Sequence, residues 1–472
     1  MSRINAGDVL GGFTLTERLR SGGMGALWRA TKAGIDVPLL LKVPFFDPGQ
    51  DVSTVVGYEV EEMILKRLSG PHVPRFFGSG DLAEVPFIAM EFVQGETLAD
   101  IVEKAPVSHH EVVRIGTLIA NALGSLHRQN VAHLDLKPAN IILAPRGAVL
   151  IDFGLARHFE LPDLFGEESD VPMGTPAYIS PEQVLGNRNS LASDIFALGC
   201  ILYELATGTT PFGEPTTASG MKRRLFQTPP SAREVNGAIP RWLSAVISRC
   251  MEVDPLRRYP LAGNVAFDLT HPDQVVIPTD NKPAAGWAGR LRSLLRRGKP
   301  AADTTQIASV VSRSSGRGAV VLVAVDLSEG ADALAEEVRA EAVRVLRAYP
   351  GARLACLTVL KTELLGSGGD EVDAAGRTAY VNRLVALKDW AAPLRLGDES
   401  VSFHVVEAVG PAAAILQFAK HNDVGHIVLG ARASSALRRH LGSVSAEVVA
   451  EALCSVSVVR VKRIEERATE AA

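Results

Sequence analysis

Residues 131–143, VAHLDLKPANIIL, and residues 149–156, VLIDFGLA, decide how this chain is read. His133, Asp135, Lys137 and Asn140 precede one apolar run, and Asp152 directly follows another. Acidic and amide oxygens brought together at strand ends can hold Mg²⁺, a hard cation that prefers oxygen ligands and bridges phosphates. Asn140 and Asp152 are the candidates for that role. Asp135 is left to meet a hydroxyl.

Working outward, residues 17–30, ERLRSGGMGALWRA, place Gly22, Gly23 and Gly25 in a turn between two strand-like runs. Without Cβ atoms they let backbone N–H groups approach phosphate oxygens, although a plain structural hairpin would use the same residues. Lys42 lies within the apolar strand-like run LLLKVP, where an ammonium needs an anionic partner, either a phosphate or a carboxylate. The helical segment YEVEEMILKRL offers Glu61, near the edge of a buried stripe made of Val60, Met63, Ile64 and Leu68. A second helix is expected over SHHEVVRIGTLIANALGSLHRQN, opened by a capping box of Ser108 and Glu111, buried through Val112, Ile115, Ile119, Ala122, Leu123 and Leu126, and ending near Asn130. The pair His109–His110 decorates its start rather than binding metal.

Glycine loop, Lys, Glu, HLDLKPAN, DFG and SPE occur in an order and spacing that resemble a eukaryotic-type Ser/Thr protein kinase of the bacterial kind. The resemblance covers residues 13–270 and implies an α+β bilobal fold, ATP and Mg²⁺ (Mn²⁺ as the substitute metal), and protein substrates carrying Ser or Thr, the chain itself included. It implies that Lys42 contacts the ATP phosphates and pairs with Glu61, that Asn140 and Asp152 hold the metal, that Asp135 orients the acceptor hydroxyl, and that Lys137 supports the γ-phosphate. Met90 becomes the gatekeeper, with the Glu91 and Val93 backbones meeting adenine. Thr175 is placed near Asp135, Glu182 pairs with Arg258, and Asp194 braces the catalytic loop. Two residues depart from the pattern. Arg20 stands where the first loop glycine belongs, and Leu134 stands where many kinases carry the Arg that pairs with a phosphorylated activation loop. Activation by loop phosphorylation is therefore not expected, and the acidic loop 157–175 contains only Ser169 and Thr175 as acceptors.

Residues 318–462 alternate strands and helices: AVVLVAVD, ALAEEVRAEAVRVLRAY, RLACLTVL, AAAILQFAKHN, HIVLG and SVSVVRV. That order implies a parallel α/β sheet. VAVDLS, LTVL and LGARASSALRRHLGSVSAEVV resemble the universal stress protein fold, a Rossmann-like domain. Its nucleotide-binding members imply roles for Asp326, Val359, Gly430, Gly442, Ser443 and Ser445, but Ala433 replaces the second glycine of their motif. ATP or AMP binding and a nucleotide-free dimerisation or docking module both remain open, the homodimer resting on the family resemblance.

A chain of 472 residues allows about three domain-sized units; the motifs reduce them to two. Residues 271–317 read as a Pro/Ser-rich linker, with Arg290, Arg292, Arg296, Arg297 and Lys299 beside Trp287, Leu291, Leu294 and Leu295. It is a solvated tether or a weak contact for anionic lipid or an acidic partner. The net charge of −4 argues against nucleic acid as a partner. Four scattered cysteines form no CxxC pair, and no apolar stretch is long enough to span a bilayer. A cytoplasmic kinase in stress signalling is expected. The alternatives are a nucleotide-binding pseudokinase scaffold, with Arg20 and Leu134 as marks of lost catalysis, and an adenylate-sensing stress protein.

Overall fold

A computed structural model describes residues 4–22, 25–46, 52–168, 171–277, 320–328, 330–361, 378–431 and 442–461. The chain divides into two compact units, one chiefly of Ser2–Phe45 and Ser53–Arg313, the other chiefly of Ser314–Ala472. The basic stretch of the linker, together with Gly23, Ser169 and Ala433, lies outside the described residues. Among the described residues no helix is long and apolar enough to cross a membrane.

The first unit opens with strands β1 (Val9–Leu10), β2 (Phe13–Gly22), β3 (Gly25–Lys32) and β4 (Ile35–Pro44), helix α1 (Ser53–Leu65), and strands β5 (Phe76–Ser79) and β6 (Ile88–Glu91). They form a six-stranded antiparallel sheet in the order β1-β2-β3-β4-β6-β5. Alternation along β3 and β4 sends Ala26, Trp28, Leu39, Leu41 and Val43 into a core shared with Phe13 and Phe87. Lys42, between Leu41 and Val43, is thereby turned to the other face of the sheet.

A helical half follows. Its long helix spans His109–His127; Ser108 accepts from the Glu111 N–H at 3.3 Å, while the Glu111 carboxylate turns to Arg114. The expected box is thus formed in one direction. The helix stops at His127 rather than near Asn130, whose φ of 58° places it in a left-handed turn. The helix Ala192–Thr207 is apolar nearly all round and buried accordingly, ending at Gly208 with φ 75°. At its entry, Arg258 donates from Nη1 and Nη2 to Glu182, at 2.7 and 2.8 Å, and both side chains are buried. Burial alone would raise the Glu182 carboxyl, but Arg258 outweighs it and holds the group below the usual carboxylate range.

The second unit is a five-stranded parallel sheet ordered Val401–Ala408, Arg353–Lys361, Val320–Ala324, Val424–Gly430, Ser455–Val459. Val321 and Val323 pack on one face against the helices Asp332–Ala348 and Ala379–Ala391; Val320 and Leu322 pack on the other against Pro411–His421 and Ser443–Glu451. Burial on both faces explains why these strands read as unbroken apolar runs. The strand Val401–Ala408 and the helices Ala379–Ala391 and Ser443–Glu451 add to the elements expected from the sequence.

Removing one partner of a buried ion pair costs about 3–5 kcal/mol, so Arg258→Ala should lower the melting temperature of the first unit by about 10 °C, at roughly 2–4 °C per kcal/mol. Calorimetry showing a shift under about 2 °C would contradict this. Because the folded Glu182 carboxyl is lowered, its stabilisation is fully present above the unfolded carboxylate pKa of about 4 and fades as pH falls below it. Glu182→Gln should therefore flatten the acid side of the stability profile.

Candidate active site

Two residues of the site adopt left-handed backbone, Leu134 with φ 58° and Asp152 with φ 65°. For a residue with a Cβ this costs about 1–3 kcal/mol and persists only where neighbours impose it. Asp194 imposes it at the catalytic loop: its carboxylate accepts from the backbone N–H groups of His133 and Leu134, both at 2.9 Å. His127 Nε2 lies 2.9 Å from the same carboxylate. Burial would raise the Asp194 carboxyl, and these contacts, His127 foremost, hold it low instead. From the other side Gln183 Nε2 donates to the Leu134 carbonyl at 2.7 Å. The sequence singled out Asp194 but missed Gln183, which follows the SPE triplet directly.

Lys42 Nζ stands 2.6 Å from Glu61 Oε2 and 3.0 Å from Asp152 Oδ1. Glu61 is buried, at 2% exposure, rather than at the edge of the stripe, and Met63 is the half-buried member. Burial alone would lower the Lys42 pKa; the two carboxylates outweigh it and hold the ammonium above its ordinary range. Lys42 in return keeps Asp152 below the ordinary carboxylate range, against burial. Burial pushes Glu61 up, with Lys42 pulling against it. Asp152 Oδ2 makes no bond among the described residues, and Asn140 donates its Nδ2 to the Asp135 carbonyl at 3.0 Å, which leaves the amide oxygen as an acceptor. An ionised carboxylate and an amide oxygen form an oxygen donor set that fits a hard divalent cation.

Around Asp135 the contacts converge on a hydroxyl. Thr175 donates its hydroxyl to Asp135 Oδ1 at 2.7 Å and its N–H at 2.8 Å, while Lys137 Nζ reaches Asp135 Oδ2 at 2.7 Å and Thr175 Oγ1 at 3.1 Å. An acid, an ammonium and an alcohol thus share one site.

At the glycine turn Gly22 pairs with Gly25. Gly25 has φ 149°, and a Cβ there would lie 2.5 Å from the Val43 carbonyl oxygen, so the close approach of β4 alone demands glycine. Arg20 is an exposed residue of β2 paired with Leu27, directly after a register shift between Arg18 and Arg20. Met90 is buried in β6. Glu91 donates its N–H to the Arg75 carbonyl at 2.8 Å and pairs through its carboxylate with Arg146, leaving its own carbonyl and the Val93 backbone for a ligand.

The sequence also missed Arg224. It is fully buried, donating to the carbonyls of Met221 at 3.0 Å, Pro176 at 2.5 Å and Ile179, with its guanidinium over the Phe212 ring. Nothing in the string KRRLF distinguishes it from a surface cation. Its grip holds the backbone at Pro176 and Ile179, next to Thr175, whose N–H and hydroxyl bond Asp135.

In the second unit a cavity of about 550 Å³ opens at the carboxyl ends of Val320–Ala324, Arg353–Lys361 and Val424–Gly430. Strand order reverses there, the usual place for a ligand in an open α/β sheet. All six residues expected there, Asp326, Val359, Gly430, Gly442, Ser443 and Ser445, line it, together with Lys361 and Arg383. Ser445 turns its hydroxyl to the Gly442 carbonyl at 3.0 Å, and Asp326 accepts from Ser328.

A two-carboxylate, one-lysine cluster over an Asp-Lys-hydroxyl site, set between a small antiparallel sheet and a helical half, defines a protein kinase catalytic domain. The protein kinase domain family matches residues 15–266, and the chain belongs to it; the universal stress protein family matches residues 319–460. A probable serine/threonine-protein kinase of Clostridium perfringens (strain 13 / Type A) is 29% identical over 266 residues, covering 56% of this chain and 38% of that protein, so the chain spans less than half of that relative's length. The serine/threonine-protein kinase PknL of Mycobacterium tuberculosis is 29% identical over 284 residues, 60% of this chain and 71% of PknL. Among solved structures, the kinase domain of PknI of Mycobacterium tuberculosis is 23% identical, covering 57% of this chain and 99% of that one with a TM-score of 0.45.

Arg224→Met removes the carbonyl anchor while keeping an apolar stem. The expected outcome is a peptide KM raised at least about fivefold, roughly 1 kcal/mol, with the KM for ATP unchanged. A fall in kcat with both KM values unchanged would show partial unfolding instead.

Proposed function

We propose that the chain transfers the γ-phosphoryl group of ATP to Ser and Thr hydroxyls of proteins, itself included. The observation that carries this is the Thr175 hydroxyl, held 2.7 Å from Asp135 Oδ1 with Lys137 at hand: the site already receives an alcohol. Asp135 orients the acceptor hydroxyl and takes its proton, and Lys137 offers positive charge where it develops on the transferred group. Lys42, fixed by Glu61, positions the ATP phosphates, and the Gly22–Gly25 turn covers them. Adenine lies against the Glu91 and Val93 backbones, behind which Met90 closes the pocket. Asn140 and Asp152 would hold Mg²⁺, with Mn²⁺ as substitute, and the metal would supply positive charge to the phosphates. The intact Lys42–Glu61–Asp152 cluster weighs against a pseudokinase scaffold.

The domains are taken as 13–270 and 318–462, joined by the linker 271–317, whose basic stretch is a solvated tether or a weak contact for anionic membrane surface. In the C-terminal domain the cavity at the strand reversal takes the nucleotide, with Gly442 and Ser443 at the phosphate end. The edge strand Ser455–Val459, with Leu453 at 91% exposure beside it, supports a homodimer through this domain. Four free cysteines, three of them buried, suit the cytoplasm. The stress-protein domain supports a role in stress signalling.

Radiolabelled ATP with Mg²⁺ should label a generic protein acceptor through the wild type and at least about 100-fold less through Asp152→Asn. Absence of label with the wild type would refute the kinase reading. For the second site, calorimetry on the full-length chain should resolve two ATP-binding events, of which Gly442→Val removes one and leaves the other in place. A single event at millimolar ATP that Gly442→Val does not change would refute it.

A further inference from the structure

Leu134 offers no cation to an activation segment, yet the segment is fastened. Asp163, within it, sits between two nearly buried arginines: Arg157 Nη1 lies 2.7 Å from its Oδ2, and Arg188 Nε donates to its Oδ1 at 3.1 Å. Arg188 also donates to the Leu155 carbonyl at 2.9 Å, which ties the start of the segment, just after Asp152, to the chain beyond its end. Arg157 and Arg188 are 7% and 5% exposed, so a neutral residue in place of Asp163 would take a counter-charge away from two desolvated cations.

The clamp has a local design. The Asp163 carbonyl accepts the Glu167 N–H at 2.8 Å, opening the short helix Leu164–Glu168. A Cβ at Gly166 would collide with the Asp163 carboxylate, so glycine is required for the carboxylate to fold back over the turn. The helix carries Phe165, 2% exposed, beneath the Arg188 guanidinium and against α1 at Gly57, where a Cβ would stand 3.8 Å from its ring. Helix α1 carries Glu61, and Glu61 holds Lys42. A continuous set of contacts therefore runs from Asp163 to the lysine. Of the acceptors in the segment, Thr175 is engaged with Asp135.

We infer that Asp163 does the work of an activation-loop phosphate: an internal carboxylate, held by Arg157 and Arg188, keeps the segment and α1 in the active arrangement without any modification. This rests on the chain acting as a kinase. Asp163 is a positioning residue, since it touches no reacting atom.

The test uses the full chain. Wild type stripped of phosphate, verified by intact mass, should phosphorylate a protein acceptor within about twofold of the autophosphorylated form. Asp163→Asn, isosteric but neutral, should lose at least about tenfold in kcat, a population shift of roughly 1.4 kcal/mol, with a much smaller change in the KM for ATP. Hydrogen exchange should be faster in the variant at Phe165–Glu168 and along α1, and unchanged in the helix Ala192–Thr207. The exchange measurement does not require activity, so it reads the clamp even if no transfer is seen and the kinase reading itself fails. A wild type that loses more than about tenfold on dephosphorylation and recovers on autophosphorylation overturns the inference. So does Asp163→Asn with wild-type kcat and unchanged exchange.

Discussion

The catalytic loop depends on one buried carboxylate. Asp194 takes the N–H groups of His133 and Leu134 on its two oxygens and so forces the second into a left-handed conformation that a leucine would otherwise avoid. The turn this creates sets Asp135 beneath Thr175 and starts the 3₁₀ turn that carries Asn140. Because the helix holding Asp194 is buried almost throughout, the carboxylate cannot relax toward water, and the loop inherits the rigidity of the core. Chemistry at the surface is thus held from below.

A second constraint acts through charge. Lys42 stands between Glu61 and Asp152, and its ammonium stays charged because two carboxylates together outweigh its desolvation. The same lysine keeps Asp152 ionised, the state a divalent cation requires. Strand alternation in β4 puts the lysine there, with Leu41 and Val43 locked into the opposite face.

Much of this was legible in the sequence because the residues with fixed chemistry come in short strings. HLDLKPAN, DFG and the lone lysine of LLLKVP each name their partners by type, and the structure brings Lys42, Glu61 and Asp152 together, as it does Asp135, Lys137, Thr175 and Asn140. In the second unit, two-sided burial made the strands visible as apolar runs, whereas Val401–Ala408, with its interspersed Ser402, His404 and Glu407, gave a mixed pattern. Gln183, Arg224 and the Arg157–Asp163–Arg188 cluster escaped because each acts on backbone carbonyls or on charges distant in sequence. Such contacts leave no local spacing to read. Gly25 shows the converse: the glycine was noticed for its closeness to phosphate, and the structure supplies a second reason in the approach of Val43.

Arg224 has one further consequence. It grips main-chain carbonyls of the loop next to Asp135 and no side chain of that loop. Every amino acid brings the same carbonyl, so residues of the loop can be exchanged without loosening its anchor. A scaffold of this kind separates the shape of a recognition surface from its chemistry, and leaves selection free to alter what is recognised while the geometry of transfer stays as it was.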